Sequence, residues 1–117
     1  SRLYPRLVIH YTAAYLYDTM HELMEYKRRS RNLLKDAVMI FPTCAGTYTR
    51  DQVRRDPINT NSDMGKYTNH CNLLDMSAIA VPGIDAGEDL PFGITIFGLA
   101  DAEHKIVAVA KKCRAYA

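Results

Sequence analysis

Tyr67, Thr68, Asn69, His70 and Asn72 crowd a phenol, a hydroxyl, an imidazole and side-chain amides into one short tract ahead of the apolar pair Leu73-Leu74. A solvated helix surface is more usually charged, and uncharged amides and hydroxyls that become buried must find hydrogen-bond partners. The tract therefore either braces neighbouring loops or lines a pocket for a small polar ligand, and on residue type alone bracing is the commoner outcome. A second stretch, Thr43 to Thr49, is small and polar, contains Gly46, and directly follows the apolar run Ala37 to Phe41. A loop leaving a strand end is where open α/β sheets place their ligands.

Other chemistries find no foothold. Nucleophilic hydrolysis needs a hydroxyl or thiol beside a base, with donors aimed at the developing oxyanion. Ser1, Ser30, Ser62 and Ser77 sit at the terminus, in a basic helical stretch, before a predicted cap and at the start of a strand. G-x-S-x-G, S-x-x-K and H-E-x-x-H patterns are absent, and Gly65-Lys66-Tyr67-Thr68 lacks the preceding glycines that wrap a phosphate. His70 and Cys71 are adjacent, so on a helix they point about 100° apart and cannot share a metal ion. Cys44 has no histidine near it in sequence and reads as a packing residue. No catalytic residue, metal or cofactor is expected from these 117 residues.

Composition bounds the rest. With 48% hydrophobic and 24% charged residues, the chain has the balance of one globular unit or part of one. Fifteen Lys and Arg against thirteen Asp and Glu leave a net charge of +2, which argues against a nucleic-acid partner. No apolar run approaches the roughly 20 residues of a membrane span, so no membrane partner is expected. Cys44, Cys71 and Cys113 form an odd set without a C-x-x-C pair, which suits reduced thiols in the cytoplasm. Ser1 is followed by charged and polar residues rather than a signal-peptide core, and the start without Met leads us to expect further chain upstream.

The positioning elements follow from periodicity. Residues 1 to 11 read as a connector. Thr12 caps a long amphipathic helix reaching about Lys35, with a solvated basic last half. Ala37 to Phe41 is a short buried strand. A helical turn ends at Arg55, stopped by Asp56-Pro57, and Ile58 to Ser62 is a polar connector. Asp63 caps a helix from Met64 to Met76. Ala78 to Pro82 is a second strand, Gly83 to Pro91 a turn, and Phe92 to Leu99 a third strand antiparallel to the second. A last helix opens at Asp101, with Cys113 on its packing face. The order describes an α/β layer with a mixed sheet whose strands are apolar on both faces. Three helices scarcely cover such a sheet, so it is expected to continue elsewhere and the segment alone to be poorly stable.

Several short tracts, in order, resemble one known family. Phe41-Pro42-Thr43, Asp56-Pro57, Asn61, Gly65, Tyr67-Thr68-Asn69, Asn72-Leu73-Leu74-Asp75, Ala80-Val81-Pro82 and Leu90-Pro91-Phe92-Gly93-Ile94-Thr95 resemble the C-terminal part of amidase-signature hydrolases. Within that family, the tract from Gly65 to Asp75 is most similar to allophanate hydrolases. His70 stands where these usually have an aromatic residue, and Ala45 or its neighbour replaces a proline that often follows Pro-Thr. The resemblance implies an α/β/α sandwich around a mixed sheet, with residues 1–117 forming the C-terminal portion of one amidase domain. It also implies a Ser, cis-Ser, Lys triad on polypeptide upstream, outside this chain. The intact protein would then hydrolyse a small amide, allophanate, to ammonia and carbon dioxide through an acyl-enzyme, without metal or cofactor. Its implied partners are the remainder of the amidase domain and the amide substrate, with homo-oligomer formation left open. By position, Thr43, Gly46, Tyr67, Thr68, Asn69 and Asn72 are the implied substrate-contacting residues. A related amidotransferase subunit typically has an acidic residue at the position of Gly65, so its absence argues against an amino-acid amide substrate. Another small-amide amidase of the same fold, or a non-catalytic subunit that binds a partner, are the alternative readings.

Overall fold

The computed structural model describes residues 12–83 and 92–115. The predicted connector at residues 1 to 11, and the turn from residue 84 to 91, lie outside them. Thr12 caps helix α1 (Ala13–Leu34), its Oγ1 accepting from the Tyr15 amide at 3.1 Å. Strand β1 (Met39–Pro42) follows, then the short helices α2 (Arg50–Arg55), α3 (Pro57–Met64) and α4 (His70–Leu73). Strands β2 (Met76–Pro82) and β3 (Gly93–Leu99) precede the last helix, α5 (Glu103–Ala115).

The strands form one sheet in the order β1-β3-β2, with both pairings antiparallel. The sequence predicts the β2–β3 pairing, and the amide of Gly83 closes that hairpin by donating to the Phe92 carbonyl at 2.8 Å. Inserting β3 between β1 and β2 leaves the outer strands running the same way without touching. A parallel pair, as a mixed sheet has, is absent among the described strands.

Because side chains alternate along a strand, the register sorts the sheet into two faces. Ile94, Ile96 and Gly98 share one face with Val38, Ile79 and Val81, and α5 lies across it. Ile96, Val81, Ile106 and Ala110 are its buried core, with Val109 and Cys113 packed beside them. The opposite face carries Phe41, Thr95 and Phe97 from β1 and β3. It also carries Ala78, Ala80 and Pro82 of β2, which are exposed. Only β3 is enclosed on both sides, so the expectation of strands apolar on two faces holds fully for the central strand alone.

Two helix boundaries differ from the sequence reading. Ile58 to Ser62, read as a connector, is helical within α3. Asp56-Pro57 ends α2 but also begins α3: Pro57 sits in the first turn, where its missing N–H costs nothing, and the Asp56 carboxylate accepts from the Asn59 amide at 3.3 Å. The predicted helix from Met64 to Met76 is instead a wound turn followed by α4 alone. The carbonyl of Gly65 takes the amides of both Thr68 and Asn69, and Asp75 adopts φ 52°, which stops the helix and starts β2 earlier than expected. Asp63 is no cap; it lies in α3 and accepts a hydrogen bond from the Tyr48 hydroxyl. That bond holds the Tyr48 phenol above its ordinary pKa.

Helix α1 is about 33 Å long at 1.5 Å per residue. Only Leu34 is buried, with Leu23, Lys27 and Ser30 half-buried on the same side. Lys27 ties it to the α4–β2 turn through Asp75 at 2.6 Å. Arg28 and Arg29 both reach Glu25 and hold its exposed carboxyl down to about 2. Ahead of Leu23, Tyr15, Leu16, Tyr17 and Met20 are all exposed. The radius of gyration, 17.6 Å, compares with about 13 Å for a closed globule of this length. No described helix is long and apolar enough to cross a membrane.

Candidate functional site

The sheet face opposite α5 gathers the residues of interest at the end of β1. Phe41 lies on β1 and Thr43 directly follows the strand, two positions on, so the two side chains project from the same face. Thr43 is anchored twice to β3: its amide donates to the Gly93 carbonyl at 2.9 Å, and its Oγ1 lies 2.9 Å from that of Thr95. Glycine at position 93 leaves room for this approach, since a Cβ there would stand 3.2 Å from Thr43 Oγ1.

Over the same face the turn after α3 lays down an aromatic cluster. The Phe41 ring centroid is 6.0 Å from Tyr67, 6.1 Å from His70 and 6.3 Å from Phe97, and His70 is 4.7 Å from Phe97. Burial lowers the pKa of His70 and raises that of Cys71, whose Sγ donates to the Met76 carbonyl at 3.3 Å. His70 and Cys71 thus have separate environments. Among the described residues, no group of His, Cys, Asp and Glu could hold a metal ion.

The candidates named from the sequence divide. Thr43 and Tyr67 come to one sheet face, bridged by Phe41. Thr68 is half-buried, with its hydroxyl 3.4 Å from the Gly65 carbonyl. Asn69 is exposed and folds its amide over Gly65, where a Cβ would fall 2.6 Å from Asn69 Oδ1, so any side chain at position 65 must displace that amide. Asn72 is exposed on α4, and Gly46 stands in an open loop with nothing within 4 Å of a Cβ. Sequence reasoning missed the Phe41–Phe97–His70 contacts. The two-residue spacing of Phe41, at the end of an apolar strand, and Thr43 just after it was the available signal for the first ring. Nothing local pairs Phe97 with His70.

What this arrangement offers a ligand is a wall of ring faces, a phenol and paired hydroxyls. The Thr43–Thr95 bond is testable by itself. Thr43→Val removes one partner and leaves the Thr95 hydroxyl, only 5% exposed as a residue, without it. A loss of about 1–3 kcal/mol is expected, largely recovered when Thr95→Val is added. Denaturant midpoints of both variants check it.

No family profile matches the chain. Urea amidolyase of Saccharomyces cerevisiae is 36% identical over 94 residues, covering 75% of this chain and 5% of that protein. Urea amidolyase of Lachancea kluyveri is 36% identical over 80 residues, covering 68% of this chain and 4% of that one. The fold matches Kluyveromyces lactis allophanate hydrolase with TM-score 0.76 in two solved structures. One is a single-substitution variant at 31% identity and the other the selenomethionine form at 32%. In both, the match covers 86% of this chain and 17% of the other. The chain therefore spans a small part of the proteins it matches. Its helix-covered sheet and its sequence place it in the amidase-signature class. Within that class, the chain is similar over most of its length to allophanate hydrolase.

Proposed function

We propose that residues 1–117 are the C-terminal portion of an amidase domain, forming one flank of the fold and part of the pocket wall of an allophanate-hydrolysing enzyme. The reading is carried by a single observation: a fold match with TM-score 0.76 over 86% of the chain, to an allophanate hydrolase. The nucleophilic serine, its cis-serine partner and the lysine reside on polypeptide outside this chain. There they form and hydrolyse the acyl-enzyme, releasing ammonia and carbon dioxide from allophanate as a step of urea degradation. This chain alone is inactive and contributes shape. Thr43, Gly46, Tyr67, Thr68, Asn69 and Asn72 border the substrate.

The partner that completes the fold is the remainder of the amidase domain, and surface area supports this. The chain exposes 9756 Å², against about 6,400 Å² for a folded monomer of 13.2 kDa. An ordinary protein–protein interface covers about 800 Å² per partner, far less than that difference. The first half of α1 suits cover along one side: Tyr15, Leu16, Tyr17 and Met20 are exposed and lie within an arc of about 200°, while Asp18, His21 and Glu22 occupy the rest of its circumference.

Asn69 and Asn72 provide the test. Both are exposed here, so alanine at either should change stability by no more than about 0.5 kcal/mol. In the intact protein, each is expected to lower allophanate turnover at least about tenfold through lost hydrogen bonds to the substrate. Unchanged steady-state kinetics and unchanged melting in both variants would remove them from the pocket.

A further inference from the structure

His70 is the one side chain in the described structure with a buried nitrogen that meets no hydrogen-bond partner, at Nε2. Its ring rests on Phe97 at 4.7 Å and stands edge-on to Phe41 at 6.1 Å. His70 also lines a cavity of about 480 Å³ between α1, β1 and α4, walled mostly by apolar side chains such as Leu34, Met39, Leu73 and Met76.

The charged and titratable groups around this cavity are few. Helix α1 contributes Tyr26 and Arg29; β1, β2 and β3 contribute none. From its own segment, Tyr67 packs at a tilt against Phe41, and Cys71 donates its thiol hydrogen to the Met76 carbonyl. The neighbouring carboxylates have other partners: Glu22 accepts from Tyr26, Glu25 from Arg28 and Arg29, and Asp75 from Lys27. Among the described residues, no carboxylate lines the cavity, and the only charged side chain there, Arg29, is itself a cation.

We propose that His70 is an acid-sensitive latch: its neutral ring holds the Tyr67–Leu74 segment on the sheet, and a proton binding at Nε2 releases it. A proton there creates a buried N–H without an acceptor and a cation in an apolar cavity, both of which oppose the packed state. Release carries the imidazolium into water, where both costs disappear. Burial already lowers the His70 pKa from 6.5. The freed segment takes up its proton near 6.5, so the packing contribution is complete above that pH and is lost as pH falls below it. A phenylalanine at this position would keep the ring contacts and remove the titration.

The consequence for turnover rests on the amidase reading, because Tyr67 to Asn72 are proposed there as pocket wall. The latch itself is read from hydrogen exchange of the intact protein. Between about pH 7.5 and about pH 5.5, protection factors at Tyr67–Leu74 are expected to fall about tenfold while those of α5 hold. His70→Phe should abolish that fall, and His70→Gln, equally unable to titrate in this range, serves if the first variant does not fold. An equal fall in either variant, or an imidazole that NMR shows titrating at or above 6.5, overturns the latch. Ammonia release from allophanate reports on the amidase reading alone, so either idea can fail while the other stands.

Discussion

Replacing Phe97 by alanine is expected to cost about 3–5 kcal/mol of folding stability. Phe97 is 1% exposed on the central strand, where Met39 and Ala78 flank it across the sheet. Its ring also supports His70 and Phe41, which link the sheet to the turn carrying Tyr67. Truncation therefore removes a large buried ring and leaves a cavity where two layers meet. Neither side can close it: the strands are fixed by ladder hydrogen bonds on both edges of β3, and α4 is held by the short connection to β2. The denaturant midpoint of the intact protein should fall with its slope unchanged. A loss below about 1 kcal/mol would mean that the sheet face opposite α5 is not the packed junction described here.

The other large effect is expected on the opposite face, where Gly98→Ala should cost about 1–3 kcal/mol by overpacking. Helix α5 lies so close to β3 that a Cβ on Gly98 would stand 2.9 Å from Ile106 Cγ2 and 3.4 Å from Ala102 Cβ. Ile106 is 3% exposed and packs with Ile96 and Val81, so it has no free volume into which to rotate. The helix must lift or the strand must bow. Ile106→Ala removes the clashing methyl, and in that background the alanine at position 98 should cost less, giving a non-additive double-mutant cycle. Equal costs in the two backgrounds would place the strain elsewhere.

These two residues also mark what the sequence made legible. The Thr12 cap, the long first helix, the β2–β3 hairpin and the Ile106–Ala110–Cys113 packing stripe were readable because each depends on neighbours within a few positions. Asp56-Pro57 misled because one dipeptide both ends α2 and begins α3, and proline is favourable only in the second role. The turn replacing the predicted Met64–Met76 helix is set by the doubly accepting Gly65 carbonyl and the left-handed Asp75, which no apolar period records. Helix α1 shows the same limit differently: its apolar residues predicted a packing face, yet apolar side chains on its first half are exposed in this chain.

The candidate site was legible to a similar depth. Thr43 and Tyr67 do share a sheet face, but their link runs through Phe41, and the layer beneath it depends on Phe97, far away in sequence. Exposure separates Asn69, Asn72 and Gly46 from that layer, and no residue type or spacing announces exposure. The family resemblance rests on the order of several short tracts along the chain rather than on any local period, and the allophanate hydrolase it points to matches 86% of this chain.

Ammonia release by the intact protein, compared between allophanate, other small amides and glutamine, tests the central claim most directly. The account predicts turnover of allophanate with the highest kcat/KM of the set and none from glutamine. Release from another amide with allophanate untouched, or from none of them, would contradict it.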